Sequence, residues 1–346
     1  MNEAPRALAR GFPKRNTQTA RSIRSLKAAV LRPRMYKRGS VLIIALWILT
    51  ILVIFAVTIG HRASLNLKLA RFQRDSLKAN FLTQSDINKA IAVLENDGNE
   101  FDALNEEWSA GKDASGLDIL KNVTITDEER LLNINGTNET DKNRLFALLN
   151  LLNVQDALEI AILITDWQNP ESAIESAKKD GFKIPEELLA PLEFFYKVKK
   201  NDGKFRDRAK ELFYKIKGSI TASSNGKINI NTCTEESLKV LILSTESPLS
   251  EESENLIQRI IQFRQPEQAF TSPDTDDIKL KLATTGQELT APQLNTLMQL
   301  INSGLITVKS DNFSIRASGS LNNASSKITV IYNTDEHKVV SWRQNI

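Results

Sequence analysis

The stretch Met35–Gly60, MYKRGSVLIIALWILTILVIFAVTIG, decides how the chain is read. From Val41 to Gly60 it holds 20 residues with no ionisable side chain. A helix rising about 1.5 Å per residue would carry that run across the ~30 Å hydrocarbon core of a bilayer. Its β-branched residues weaken a helix in water, but in lipid the backbone must satisfy its own hydrogen bonds. A secretory signal would be shorter and would end in a small-residue cleavage pattern, which does not follow Gly60. The expectation is a retained anchor, with the soluble core helix as the bland alternative.

Charge sets its direction. The chain has 346 residues and a formal net charge of +3, but residues 1–39 carry 11 Lys and Arg against Glu3 alone. Beyond Gly60, 34 bases face 41 acids, so the bulk of the protein is acidic. Bases ahead of the span predict a cytoplasmic N-terminus and an external domain after residue 60. The segment after Gly60 places apolar or small residues at Leu65, Leu69, Phe72, Ala79, Leu82, Ile87, Ala90, Ile91 and Leu94, the spacing of one helical stripe. No proline occurs between Pro33 and Pro170, so span and stripe read as one helix of about fifty residues.

Past Asp97 the period is lost until LDILKNVTITDEERLLNING, where Ile119, Val123 and Ile125 face Leu132 and Ile134 across a polar turn, a hairpin pattern. Near the C-terminus Phe313, Ile315 and Ala317, then Ile328, Val330 and Tyr332, alternate with period two, and HKVVSWRQ offers a third strand. Between them six segments carry helical spacing: ETDKNRLFALLNLLN, VQDALEIAILITDWQ, IPEELLAPLEFFYKV, TEESLKVLIL, EESENLIQRIIQFR and APQLNTLMQLINSG. The predicted fold is α+β, a long N-terminal transmembrane helix on a small antiparallel sheet with a large inserted helical domain. A weak repeat marks the insert: LNINGTNETDKNRLFALL and ININTCTEESLKVLIL each run from a short strand into a helix. Asn133, Asn135, Asn229, Asn231 and Thr232 are expected to cap those helices.

These features resemble a known family. Lys37-Arg38-Gly39 before Ser40 and the apolar run is similar to a type IV prepilin leader, and Met35 would open a complete short one. The resemblance implies cleavage between Gly39 and Ser40 by prepilin peptidase and N-methylation of Ser40. Ordinary members carry glutamate at the fifth mature position; here it is Ile44. That carboxylate is thought to pair with a neighbouring subunit's N-terminal amine, so a subunit lacking it suits a filament tip. Together with DEERLLNIN and GKININT, this resembles the minor pseudopilin K of the type II secretion system, although Glu129-Arg130-Leu131 lacks the family's glycine.

The resemblance implies a pilin-like fold and partners among the I and J minor pseudopilins and the inner-membrane secretion platform. It also implies an inner-membrane protein with a periplasmic domain. Expected boundaries are a leader over 1–39, a helix over 40–97 with its span at 41–60, first strands over 98–135, the helical insert over 136–304 and last strands over 305–346. The implied role is to initiate and cap the pseudopilus for protein export.

Other chemistry is weighed against that. The family's calcium loop resembles DWQNPESAIESAKKDG, where Asp166, Asn169, Glu171 and Glu175 are candidate ligands, though Gln168-Asn169-Pro170 replaces its carboxylate-rich stretch and Lys178 and Lys179 follow. DTDD, Asp274–Asp277, is a second acidic candidate. The second asparagine copy also resembles helix-hairpin-helix modules of membrane-anchored DNA-uptake proteins. Yet LILSTESPLSEESENLI has no glycine and four glutamates, and the acidic balance lacks a nucleic-acid footprint. The expectation is no nucleic-acid partner. With one cysteine, Cys233, two histidines, His61 and His337, and no catalytic motif, no enzyme is expected and no cofactor beyond calcium.

Overall fold

The computed structural model describes residues 38–98, 100–112, 118–245, 248–264, 268–286 and 288–345. The expected leader up to Lys37 lies outside them, and Arg38, Gly39 and Ser40 are described only as helical backbone. The chain divides into two compact units, Met1–Leu65 and Asn66–Ile346.

The described part of the first unit is helix, the start of α1, which runs from Arg38 to Glu95 over 58 residues. Every side chain from Val41 to Leu65 is exposed. Thr50 and Thr58 bond back to the carbonyls of Leu46 and Ile54, so the hydroxyls inside the run are satisfied within the helix. The helix is long and apolar enough to cross a membrane.

In the second unit α1 packs on a four-stranded antiparallel sheet ordered β1 (Val123–Asp127), β6 (Asn312–Leu321), β7 (Ala324–Asn333), β8 (Lys338–Asn345). The helix buries Asp75, Ala79, Thr83, Ile87, Ala90 and Leu94, a row of four- and three-residue steps that keeps one face on the sheet. Opposite stand Phe313, Ile315 and Ala317 of β6 with Ile328, Val330 and Tyr332 of β7, the period-two residues. At Gly319 the layers leave no room for a side chain. A Cβ there would lie 2.5 Å from Thr83 Oγ1 and 2.7 Å from the Ala79 carbonyl oxygen. Trp108 of the short helix α2 (Glu107–Ala110) seals the core edge-on against Phe313, ring centroids 5.1 Å apart.

The expected hairpin is not formed. β1 pairs with β6 over five positions, Val123 opposite Ala317 to Asp127 opposite Phe313. β2 (Leu132–Asn133) leaves the sheet and pairs in parallel with β3 (Ile220–Thr221). The intervening turn cannot serve a hairpin because its acids, Asp127 to Glu129, are drawn inward by partners from distant segments, described below.

Between β1 and β6 the chain builds two lobes, each around its own core. The first holds α3 (Glu139–Leu151), α4 (Ala157–Gln168), α5 (Leu189–Phe194), a π-helical turn at Phe195–Lys199 and α6 (Phe205–Ile216), closed by the β2–β3 pair. The second holds α7 (Glu235–Leu243), α8 (Glu251–Phe263), α9 (Thr275–Ala283) and α10 (Ala291–Asn302), closed by β4 (Ile228–Asn229) parallel to β5 (Ile306–Thr307). Caps mark the helix starts: Asn138 accepts from Asp141 N, Thr234 from Ser237 N, Ser250 from Ser253 N, and Thr290 forms a capping box with Gln293. The sequence-based helix readings omit α6 and α9.

Candidate functional site

The first candidate surface is the outer side of α1. The expected single stripe splits in two. Ala79, Ile87, Ala90 and Leu94 are consumed by the sheet, while Leu69, Phe72 and Leu82 stay exposed and are joined by Leu77 and Phe81, 59% and 66% exposed. Leu77 and Phe81 are one turn apart, so they share a flank turned from the core face. Gln344 of β8 donates to Asn80, in the same turn, at 3.0 Å, which puts a strand with exposed Val339, Val340 and Trp342 beside that flank. The last turn of α1 is fixed by Glu95, which accepts from Tyr332 OH and lies 2.7 Å from His337 Nδ1. Those bonds hold the Glu95 carboxyl below its usual range.

The second candidate is the junction where the asparagine motifs meet the turn after β1. Asn133 Oδ1 accepts from Asn135 N at 2.8 Å, and Asn229 Oδ1 from Asn231 N at 2.9 Å, so each copy closes the same local turn. Asn135 then grips Phe182 by both backbone groups, accepting from its N at 2.7 Å and donating to its O at 2.7 Å. Asn231 does the same to Phe270, at 2.8 and 2.9 Å. The repeat is therefore real, but its residues are not the expected helix caps; Asn138 and Thr234 take that task. The motif asparagines close their own turns ahead of the helices, and the amides of Asn135 and Asn231 are already committed to closing a long loop in each lobe.

The second copy also holds buried acids. Asp127 Oδ2 accepts from Ser310 Oγ at 2.7 Å, from Asn229 Nδ2 at 3.3 Å and from Thr232 Oγ1. Glu129 accepts from Asn312 N at 3.1 Å, Asn312 Nδ2 at 2.9 Å and Asn225 N at 3.2 Å. Glu128 accepts from Thr221 Oγ1, and Asp102 from Ser310 N at 2.7 Å. Burial raises the carboxyls of Asp127 and Glu128. Burial and then the charge of Asp127 push Glu129 up to about 9, and burial, outweighing the Ser310 bond, pushes Asp102 up to about 7. This cluster ties sheet and lobes together. It was missed in the sequence because acids in DEER read as a solvated turn, and only their long-range partners make them internal.

The calcium candidates sit apart from it. Asp166 is exposed on the last turn of α4, Glu171 and Glu175 are exposed beyond it, and Asn169 Oδ1 already accepts from Glu171 N at 2.9 Å. Asp274 precedes α9, and Asp277 accepts from Thr271 N and Ser272 N at 3.3 Å and from Lys281 Nζ at 3.0 Å, so DTDD reads as a helix start. Among the described residues, the acids whose oxygens converge within 4.8 Å are Asp97, Asp102 and Glu106, and Glu106 also accepts from Trp108 Nε1 at 2.8 Å. An Asp102 carboxyl titrating near neutrality is a weak cation ligand, since binding must first displace its proton.

Ile44 is exposed in the apolar run, and Gly39 and Ser40 open the helix there. His61 is exposed on α1, and His337 belongs to the Glu95 contact. Cys233 is buried beside Arg264, and burial raises its thiol. α8 begins with Glu251, Glu252 and Glu254, a first turn that repels phosphate.

No family model matches the chain, and no curated protein matches it. Among solved structures, one chain of the crystal structure of the GspK-GspI-GspJ complex from the enterotoxigenic Escherichia coli type 2 secretion system is similar. The TM-score is 0.53 at 17% identity, covering 80% of this chain and 99% of that one. At that identity the likeness is one of fold: the chain has a GspK-like pseudopilin fold, a long helix on a four-stranded antiparallel sheet with a helical insertion. That relative was crystallised with GspI and GspJ.

Proposed function

We propose that this chain is a minor pseudopilin of the K type, anchored in the inner membrane by residues 41–60, with its second unit in the periplasm, and placed at the tip of a short secretion filament with I- and J-type partners. The observation that carries the reading is α1 itself. It offers a charge-free, protein-bare run and then an exposed flank at Leu77 and Phe81. Prepilin peptidase would cut between Gly39 and Ser40, freeing a mature end that the same pathway N-methylates. Ile44 has no carboxylate to meet an amine ahead of it, which suits a subunit that nothing precedes.

Processing is the direct test. Mass spectrometry of the protein from its native membrane should give a chain beginning at Ser40, and Gly39→Leu should leave the longer form. An unchanged mass in both would remove the leader from the reading. The DNA-binding alternative predicts saturable binding of duplex DNA by residues 66–346. The acidic first turn of α8 supports a flat titration instead.

A further inference from the structure

The β6–β7 end of the sheet carries a basic cleft that assembly through α1 does not explain. Lys68, Arg71, Phe72 and Asp75 of α1 face Asn322, Asn323 and Ala324 of the β6–β7 turn across a cleft of about 410 Å³. Its one acid is already paired, with the exposed Arg74 beside it. Asp75 is buried, accepts from Asn322 Nδ2 at 2.8 Å and from Arg74 at 2.9 Å, and those bonds hold its carboxyl below the usual range. Lys68 and Arg71 are exposed, and neither has an ion-pair partner among the described residues. The cleft is therefore left with two uncompensated positive charges and an aromatic ring.

Its position in the chain indicates what answers that charge. Lys68 and Arg71 follow Gly60, the last residue of the charge-free run, by eight and eleven residues. A helix covers those separations in about 12 and 17 Å, and helical side chains lean toward the N-terminus, so both long bases reach back toward residue 60. If residues 41–60 span the bilayer, as proposed above, the charged ends approach the headgroup layer, about 5–7 Å deep beyond the hydrocarbon.

We propose that this cleft binds a phosphate group, Lys68 and Arg71 pairing with its oxygens, and that the group belongs to an anionic phospholipid headgroup, with Phe72 against the glycerol portion. Arg71 supplies a planar fork suited to two phosphate oxygens, Lys68 a movable point charge.

The full chain in a neutral detergent would be titrated with short-chain phosphatidylglycerol, short-chain phosphatidylcholine and inorganic phosphate, reading lipid adducts by native mass spectrometry and the rise in Tm. Saturable binding of phosphatidylglycerol, with phosphatidylcholine much weaker, is expected. The double variant Lys68→Gln/Arg71→Gln should bind it about 30-fold more weakly, whereas Lys210→Gln/Lys215→Gln, with the same change in net charge at exposed bases of α6, should bind as the parent does. Equal binding of both lipids, or an unchanged affinity in the first variant, would overturn the site. Saturation by inorganic phosphate without phosphatidylglycerol binding would overturn the lipid assignment. Alkaline extraction of native membranes reads the span independently: release of the protein would sink the anchor, and retention without lipid preference would sink only the cleft.

Discussion

Glu129 is the residue whose chemistry most constrains the fold. Its carboxyl is buried and pushed up to about 9, against an ordinary value of 4.5. Between those values the folded chain holds a proton that the unfolded chain has lost, so stability falls as pH rises through that window and is level outside it. Asp102, raised to about 7, adds to the fall over its lower half. Glu95, held low by Tyr332 and His337, works oppositely and loses its contribution as pH drops below the ordinary glutamate range. Thermal unfolding of residues 66–346 should therefore show Tm declining from about pH 5 to pH 9, and Glu129→Gln should flatten the upper part of that decline. A parent Tm that climbs across that range would refute the assignment. Asn231 offers a sharper loss. Its amide holds Phe270 by two bonds inside the second lobe, so Asn231→Ala should cost about 2–3 kcal/mol in urea unfolding with an unchanged m-value.

The helix and sheet meet closely enough at Gly319 that no side chain fits between them. Gly319→Val would press on Thr83 and the Ala79 carbonyl, both in the middle of α1, and should cost at least 1–3 kcal/mol, the usual range for overpacking. Phe81→Glu, on the far flank, should change stability by less than about 0.5 kcal/mol, yet abolish co-purification with the I- and J-type partners proposed above. Equal co-purification by that variant would remove the flank from the interface. How much of this the sequence disclosed varies by element. The apolar run of α1 and the strands β6 and β7 announce themselves because one environment acts along a whole segment. α6 buries Ala209, Leu212, Phe213 and Ile216 at proper helical steps, but its seven exposed, mostly charged positions hide the pattern. The partner of β1 was unreadable, since strand pairing depends on which distant segment arrives, and Val123 pairs with Ala317, 194 residues later and beyond both lobes.

The two lobes are built alike, and that likeness follows from the paired asparagine clasps rather than from matching helices. Asn135 reaches 47 residues ahead and Asn231 39, so the segments enclosed can differ in length and content while the closures stay equivalent. The DEER acids explain why this frame faces inward on one copy only: Asp127 is taken by Asn229, Thr232 and Ser310, all from the second lobe or the loop between β5 and β6. A reading from composition sees a net acidic domain and expects acids on the surface. The folded chain instead keeps Asp102, Asp127, Glu128 and Glu129 inside, where burial raises each carboxyl above its ordinary value. The buried Cys233 has a practical corollary. It is the sole thiol in the chain, shielded and poorly ionised, so a maleimide or disulfide reagent should leave the native protein unmodified and label it only on global unfolding. The protein thus contains its own unfolding gauge, and a second cysteine introduced at Leu77 could be dyed or cross-linked without any background to subtract.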